Sequence, residues 1–244
     1  MFFAKQGMYE ACGIFTPQHF ILIAITLVAI IIALKFTINK KDDVQRIIKK
    51  CTIFICIFEI IKITFKIITD GLDNLNNYVP LYYCSILIYA GLLSSFCKGK
   101  LKRTGDVFLA TGGAIGGITF IVFPTTSLTY YPMWHLMSIH SFIFHGIMVY
   151  LSLLVNLTHY IKLEKQDIVY YSAFVGIICI IAYIVNKIYG SNLMFISENY
   201  PGMPIEIIYN STGSFFTIVM MLAQMFIPFY IIYGLKLIKR SKDE

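Results

Sequence analysis

The sequence predicts an all-α integral membrane protein: a single domain over residues 1–244, built as a bundle of seven transmembrane helices, amino terminus outside and carboxyl terminus cytoplasmic. Three observations lead there. Of the 244 residues, 58% are hydrophobic and only 14% charged, with a mean hydropathy of +0.74. A water-soluble domain of this size cannot bury that much apolar surface. Apolar runs close to the roughly 20 residues that cross about 30 Å of hydrocarbon fall at 18–38, 47–69, 80–98, 105–124, 136–156, 168–189 and 214–237. Sixteen of the 20 basic residues lie on one side of this arrangement: in the 35–50 and 98–103 connections, at Lys162 and Lys165, and in the tail with Lys236, Lys239, Arg240 and Lys242. Positive loops stay cytoplasmic, which fixes the orientation and places the chain in the cell membrane as a multi-pass protein. Attraction to anionic inner-leaflet lipid accounts for the net charge of +7, so no nucleic-acid partner is expected.

The first span opens with "FTPQHF", which carries His19. It is too long for a signal peptide, and no small-residue cleavage site follows it. Span two contains "FEIIKITFK", where Glu59, Lys62 and Lys66 lie at i, i+3 and i+7 on one helical stripe. Ionisable groups in the bilayer face the bundle interior or a water-filled cavity. Glu59 and Lys62 form a natural internal pair, and Lys66 snorkels toward the outer interface. The stripe either lines a pocket that holds a phosphate headgroup or fixes helix register as a buried ion pair.

Span three opens with "VPLYYCSILIY". Pro80 suits the first turn of a helix, which puts Cys84 in the second turn at the outer end. There the positive end of the helix dipole favours a thiolate modestly. Cys84 is either a packing residue, as free cysteines usually are, or a nucleophile. The six cysteines share no metal-type spacing and include no CxxC pair, so neither a metal nor a cofactor is expected. Span four, "TGGAIGGITFIVFPTTS", has glycines 112, 113, 116 and 117 at small-xxx-small spacing, which lets a neighbouring helix approach closely or leaves room for a ligand chain.

A nucleophilic thiolate needs an oriented imidazole, and span five supplies His140 and His145 in "SIHSFIFHGIMVY". Five apart, they point about 140° away from each other around the helix. One is read as a base and the other as a hydrogen-bonding neighbour, or both simply bond adjacent helices. Span six ends in "VNKIYGSNLMF", with Asn186 and Asn192 at the outer end. The outer loops 70–79, 125–135 and 190–213 are rich in Tyr, Pro, Gly and Asn and poor in Lys and Arg. The last of these is long enough to be a binding segment or lid before span seven.

Taken together and in order, "FTPQHF", "PLYYCS", "GGAIGGITFIVFP", "FIFHG" and "VNKIYGSNLMF" resemble the YwaF-like integral membrane family, to which the eukaryotic transmembrane protein 164 group belongs. The resemblance implies a membrane acyltransferase. Such an enzyme moves a fatty acyl chain from a phospholipid donor, through an acyl-cysteine, to an acceptor. Here the acceptor is a lysophospholipid or the amino terminus of a lipoprotein at the outer leaflet. Carried over residue by residue, Cys84 matches the nucleophile and His145 the histidine, with His140 as the other candidate base. His19, Asn186 and Asn192 match polar positions of the pattern, and with Glu59 and Lys62 they are read as substrate-binding. The chain departs from many members at Tyr82, Tyr83 and Ser85, where a histidine before the cysteine and an acidic residue after it are common, and at Leu193. The rival expectation is a small-solute transporter or substrate-binding membrane module, in which Glu59, Lys62 and the span-four glycines build the pocket.

Overall fold

The computed structural model describes residues 1–72 and 75–243, with 239–243 described as backbone only. The side chains of Lys239, Arg240 and Lys242, and the loop residues Asp73 and Asn74, therefore lie outside the described residues. Among those described, the chain is helical and no strand forms. Its α-helices are α1 (Pro17–Thr37), α2 (Val44–Asp70), α3 (Leu75–Tyr78), α4 (Ile86–Phe96), α5 (Gly99–Ala110), α6 (Gly112–Val122), α7 (Leu136–Leu157), α8 (Asp167–Tyr189), α9 (Pro204–Thr212) and α10 (Phe216–Asp243).

Among the described residues, five segments are long and apolar enough to cross a membrane: Pro17–Thr37, Gly99–Val122, Leu136–Leu157, Asp167–Tyr189 and Pro204–Ile238. The second expected span is the 27-residue α2, long enough at about 40 Å but carrying Glu59, Lys62 and Lys66. The third is shorter than expected, because α4 has only 11 residues, about 17 Å. Pro80 does not open a helix. Residues 79–85 turn by i to i+3 bonds, Ser85 N–H to Tyr82 O at 2.9 Å and Ile86 N–H to Tyr83 O at 3.2 Å, before α4 begins. Cys84 thus sits in a turn two residues ahead of the helix and not in its second turn.

Contacts divide the chain into two compact units, Met1–Asp73 with Leu87–Lys162, and Asn74–Ile86 with Leu163–Glu244. In the first unit, α7 is the central helix, and α1, α2, α5 and α6 pack on it. The α6–α7 approach is close because Gly117 has no side chain. A Cβ there would lie 2.6 Å from Val149 Cγ2 and 3.1 Å from the His145 carbonyl oxygen. This supports the packing role of the span-four glycines. The α5–α6 segment breaks at Thr111 (φ −121°, ψ −76°). The break frees the Ala110 carbonyl, which accepts from Asn156 Nδ2 at 2.7 Å and Ser152 Oγ at 3.3 Å, both on α7. In hydrocarbon no water can do this, so a broken helix needs a side-chain donor from its neighbour.

At the end of this unit where α1 begins, the amino-terminal segment is tied to the loop before α7. Leu136 N–H bonds Phe2 O at 3.0 Å, Cys12 N–H bonds Tyr131 O at 3.0 Å, and Gly13 N–H bonds Leu128 O at 2.8 Å. Lys66 pairs with Asp70 and donates to Tyr131 Oη at 3.0 Å, a bonded role in place of the expected snorkelling. His135 caps α7. Its Nδ1 accepts from Met137 N–H at 3.1 Å and its Nε2–H donates to Ala4 O at 2.9 Å, while the ring stacks on Tyr131 at 4.3 Å.

In the second unit, α8 and α10 form the main contact. Pro228 interrupts α10 and leaves the Gln224 carbonyl without its helical donor. Tyr171 Oη, from α8, donates to that carbonyl at 3.3 Å. Tyr83 Oη lies 2.6 Å from Tyr171 Oη and completes a chain of two hydroxyls ending on the carbonyl.

Two predictions follow from the packing. Gly117→Val forces α6 away from α7 and lowers stability by about 1–3 kcal/mol, read as a fall in the thermal unfolding temperature in detergent or nanodiscs. The second concerns His135, whose pKa burial pushes below its ordinary value. The unfolded chain therefore takes up the proton first as pH falls. Stability is level above about pH 6.5 and drops below it. His135→Ser, which keeps an N-cap acceptor without titrating, shows a shallower fall; superimposable profiles would contradict this.

Candidate functional site

The residues singled out in the sequence divide between the two units. His19, Glu59, Lys62, His140 and His145 belong to the first; Cys84, Asn186 and Asn192 belong to the second.

In the first unit, Thr16 caps α1 and accepts from His19 N–H at 3.3 Å, with Pro17 in the first turn. His19 is fully buried, and both its ring nitrogens are engaged. Nδ1 accepts from Phe15 N–H at 3.0 Å, and Nε2–H donates to Ile121 O at 2.9 Å. The ring thus clamps the start of α1 to the end of α6, and it supports Phe15 at a left-handed φ of 60°.

Glu59 and Lys62 form the expected pair, Nζ to Oε1 at 2.5 Å, and Glu59 is buried. His140 reaches the same place from α7, its Nε2 3.5 Å from Glu59 Oε2. Its ring lies against Phe58 at 4.5 Å. His145, just over one turn further along α7, is held differently. Its Nδ1 lies 2.7 Å from Ser141 O. A carbonyl only accepts, so Nδ1 carries the proton, and Nε2 presents its lone pair. That Nε2 is buried and has no hydrogen-bond partner. Phe120 of α6 stacks flat on the ring, centroids 3.6 Å apart and planes within 7°. The two imidazoles thus have different surroundings, as their five-residue spacing predicts. His140 faces a carboxylate, and His145 is an oriented acceptor in an aromatic setting.

In the second unit, Cys84 is half-buried and none of the described cysteines forms a disulfide. The residues before it are anchored: Tyr83 through Tyr171, and Tyr82 through a ring contact with Phe195 at 5.6 Å. Phe195 belongs to a turn in which Met194 (φ 59°) and Phe195 (φ 52°) are both left-handed. Two consecutive non-glycine residues in this region cost about 1–3 kcal/mol each and need strong local support. Asn186 supplies it. Its Oδ1 accepts from Leu193 N–H at 2.8 Å, and its Nδ2 donates to Leu193 O at 3.0 Å and Ser197 Oγ at 2.8 Å. Gln224 Nε2 donates to Met194 O at 3.0 Å. Asn192 closes the next turn, accepting from Ser197 N–H at 3.1 Å and Glu198 N–H at 3.2 Å. Both asparagines are therefore engaged in shaping the loop beside the cysteine turn.

Sequence reasoning missed Tyr171, Gln224 and Phe120. Pro228 was the available signal for the first two, since a proline within a helix frees the carbonyl four residues earlier. Nothing local marks Phe120 as the partner of His145. Removing the loop staple, Asn186→Ala, leaves buried Leu193 backbone groups unsatisfied. It is expected to cost about 1–3 kcal/mol, measured as a lowered unfolding temperature.

Comparison with known proteins bears on what this arrangement is. Neither the curated proteins nor the solved structures contain a match to the chain. A family model does match, over residues 14–233, a stretch that includes both histidines of α7, the cysteine turn and the loop held by Asn186. The chain is a membrane protein of the TMEM164 family.

Proposed function

We propose that the protein is an acyltransferase that moves a fatty acyl chain from a phospholipid, through a thioester on Cys84, to a hydroxyl or amine acceptor. The acceptor is a lysophospholipid or the amino terminus of a lipoprotein. The reading includes the seven-crossing arrangement in the cell membrane, amino terminus outside, so that Cys84 serves the outer leaflet. Family membership supports it, and the observation that carries it furthest is the state of His145. An imidazole whose Nδ1–H is fixed by a carbonyl, and whose Nε2 lone pair is buried and unpartnered, is poised as a general base. Cys84, half-buried in a turn braced by Tyr83 and by the Tyr82–Phe195 contact, has the accessibility that a nucleophile needs.

The chemistry has two balanced halves. His145 Nε2 takes the thiol proton, and the thiolate attacks the donor ester carbonyl. The ester C–O bond breaks, and the leaving alkoxide recovers the proton from His145. In the second half, His145 takes a proton from the acceptor O–H or N–H. The acceptor attacks the thioester, the C–S bond breaks and the thiolate is reprotonated.

Incubating the purified protein with a phospholipid bearing a labelled acyl chain is expected to leave a hydroxylamine-sensitive label on the chain. Cys84→Ser should carry none, and His145→Gln should label at least about a hundredfold more slowly. Equal labelling of Cys84→Ser would refute the assignment.

A further inference from the structure

The two ends of the α2–α7 pair carry the same set of side chains. Where α7 begins, Lys66 pairs with Asp70 one turn on and donates to Tyr131 Oη at 3.0 Å, and the Tyr131 hydroxyl donates to Gln6 Oε1 at 3.1 Å. Where α7 finishes, Lys102 pairs with Asp106 at 2.5 Å and donates to Tyr160 Oη at 2.7 Å, and the Tyr160 hydroxyl donates to Gln45 Oε1. Tyrosines and lysines gather where hydrocarbon gives way to water. The spacing of the two sets fits that boundary. From Gln45 to Lys66, α2 rises about 32 Å, and the 22 residues of α7 span about 33 Å, against roughly 30 Å of hydrocarbon. The two sets thus bracket a slab as thick as a membrane.

The set that includes Gln6 also holds the amino-terminal segment in place. Phe2 O and Ala4 O accept from Leu136 N–H and His135 Nε2–H, while Cys12 and Gly13 donate to Tyr131 O and Leu128 O. On this fixed backbone, large apolar and aromatic side chains point outward. Phe3 and Met8 are 68% exposed and Trp134 is 57% exposed, and Tyr9 and Tyr130 are exposed as well. Lys5 and Glu10 are the only charged side chains of residues 1–13, one of each sign. Exposed Phe15 joins this surface to a flank of α1 on which Phe20, Ile25 and Ile32 are also exposed. On an apolar helix of membrane length, such a flank is covered by acyl chains.

We propose that residues 1–13 and the loop before α7 form a lipid-docking surface, with Phe3, Met8, Tyr9 and Trp134 among the glycerol and carbonyl groups of the leaflet at this end of the unit. Tyrosine and tryptophan join an apolar ring to one polar handle and suit that layer. With its two charged side chains of opposite sign, the surface fits a zwitterionic phospholipid and needs no anionic headgroup. A second copy of the chain is the competing cover. Lipid is favoured because the surface lies at the edge of the membrane-thick slab and continues a flank of α1 already covered by lipid. Nothing in this inference rests on the acyl-transfer reading or on Cys84.

Trp134 is the only tryptophan in the chain, so its fluorescence reads the surface without a label. The full chain is reconstituted in phosphatidylcholine liposomes brominated either near the carbonyl end or near the methyl end of the acyl chains. Bromine near the carbonyl end is expected to quench Trp134 about twofold more strongly than bromine near the methyl end. A second protein, Met8→Trp in a Trp134→Phe background, reads the amino-terminal segment itself and should show the same order. Adding Phe3→Ser and Tyr9→Ser to that second protein should raise its quenching by aqueous iodide about twofold, as the segment leaves the interface.

Iodide quenching of both probes with no response to bromine would place the surface in water and overturn the proposal. Indifference to bromine and iodide alike, relieved when the protein is diluted in lipid, would overturn it in favour of contact between copies. An unchanged iodide response after the two serine substitutions would overturn the anchoring role of the rings.

Discussion

Within hydrocarbon, no water completes a hydrogen bond that the chain leaves open, and most of this structure follows from that constraint. Two membrane-length helices are interrupted, one at Thr111 and one at Pro228. In each case the freed carbonyl is taken by a side chain of a neighbouring helix: Ala110 O by Asn156, and Gln224 O by Tyr171. The same demand explains why His19 spends both nitrogens on backbone groups, and why Asn186 makes three bonds within ten residues of its own helix end. Polar residues that look like candidate ligands in the sequence are, at these positions, the donors and acceptors that let the backbone depart from a straight helix.

Against this background, groups that are not satisfied stand out. The Nε2 of His145 is buried without a hydrogen-bond partner, and on the same helix His140 faces Glu59 of α2, Nε2 to Oε2 at 3.5 Å. Gly117 contributes to this placement. It brings α6 to within contact of the His145 carbonyl and sets Phe120, three residues on, flat against the imidazole. The ring is thus fixed on one side by Ser141 and on its face by Phe120, so its remaining lone pair has a defined direction.

Much of this could be read from the residues alone. The helical class, the internal Glu59–Lys62 pair, the different surroundings of His140 and His145, and the packing role of the span-four glycines all rest on composition or helical periodicity, which are local properties. Other features depend on contacts distant in sequence. "PLYYCS" reads as a helix start because proline suits a first turn, yet the chain uses i to i+3 turns up to Ile86, with Tyr83 fixed by Tyr171, 88 residues away. Asn186 and Asn192 read as polar groups open to a substrate. Their partners are two turns whose left-handed residues, Met194 and Phe195, carry no glycine to announce them.

The account turns on one bond, from His145 Nδ1 to the Ser141 carbonyl, which leaves Nε2 without a proton. Nitrogen-15 magnetic resonance of histidine-labelled protein in bilayers at neutral pH reads this directly. The account predicts a signal pair with protonated Nδ1 and unprotonated Nε2 that vanishes in His145→Gln. A protonated Nε2 on that residue, alone or together with Nδ1, would contradict it.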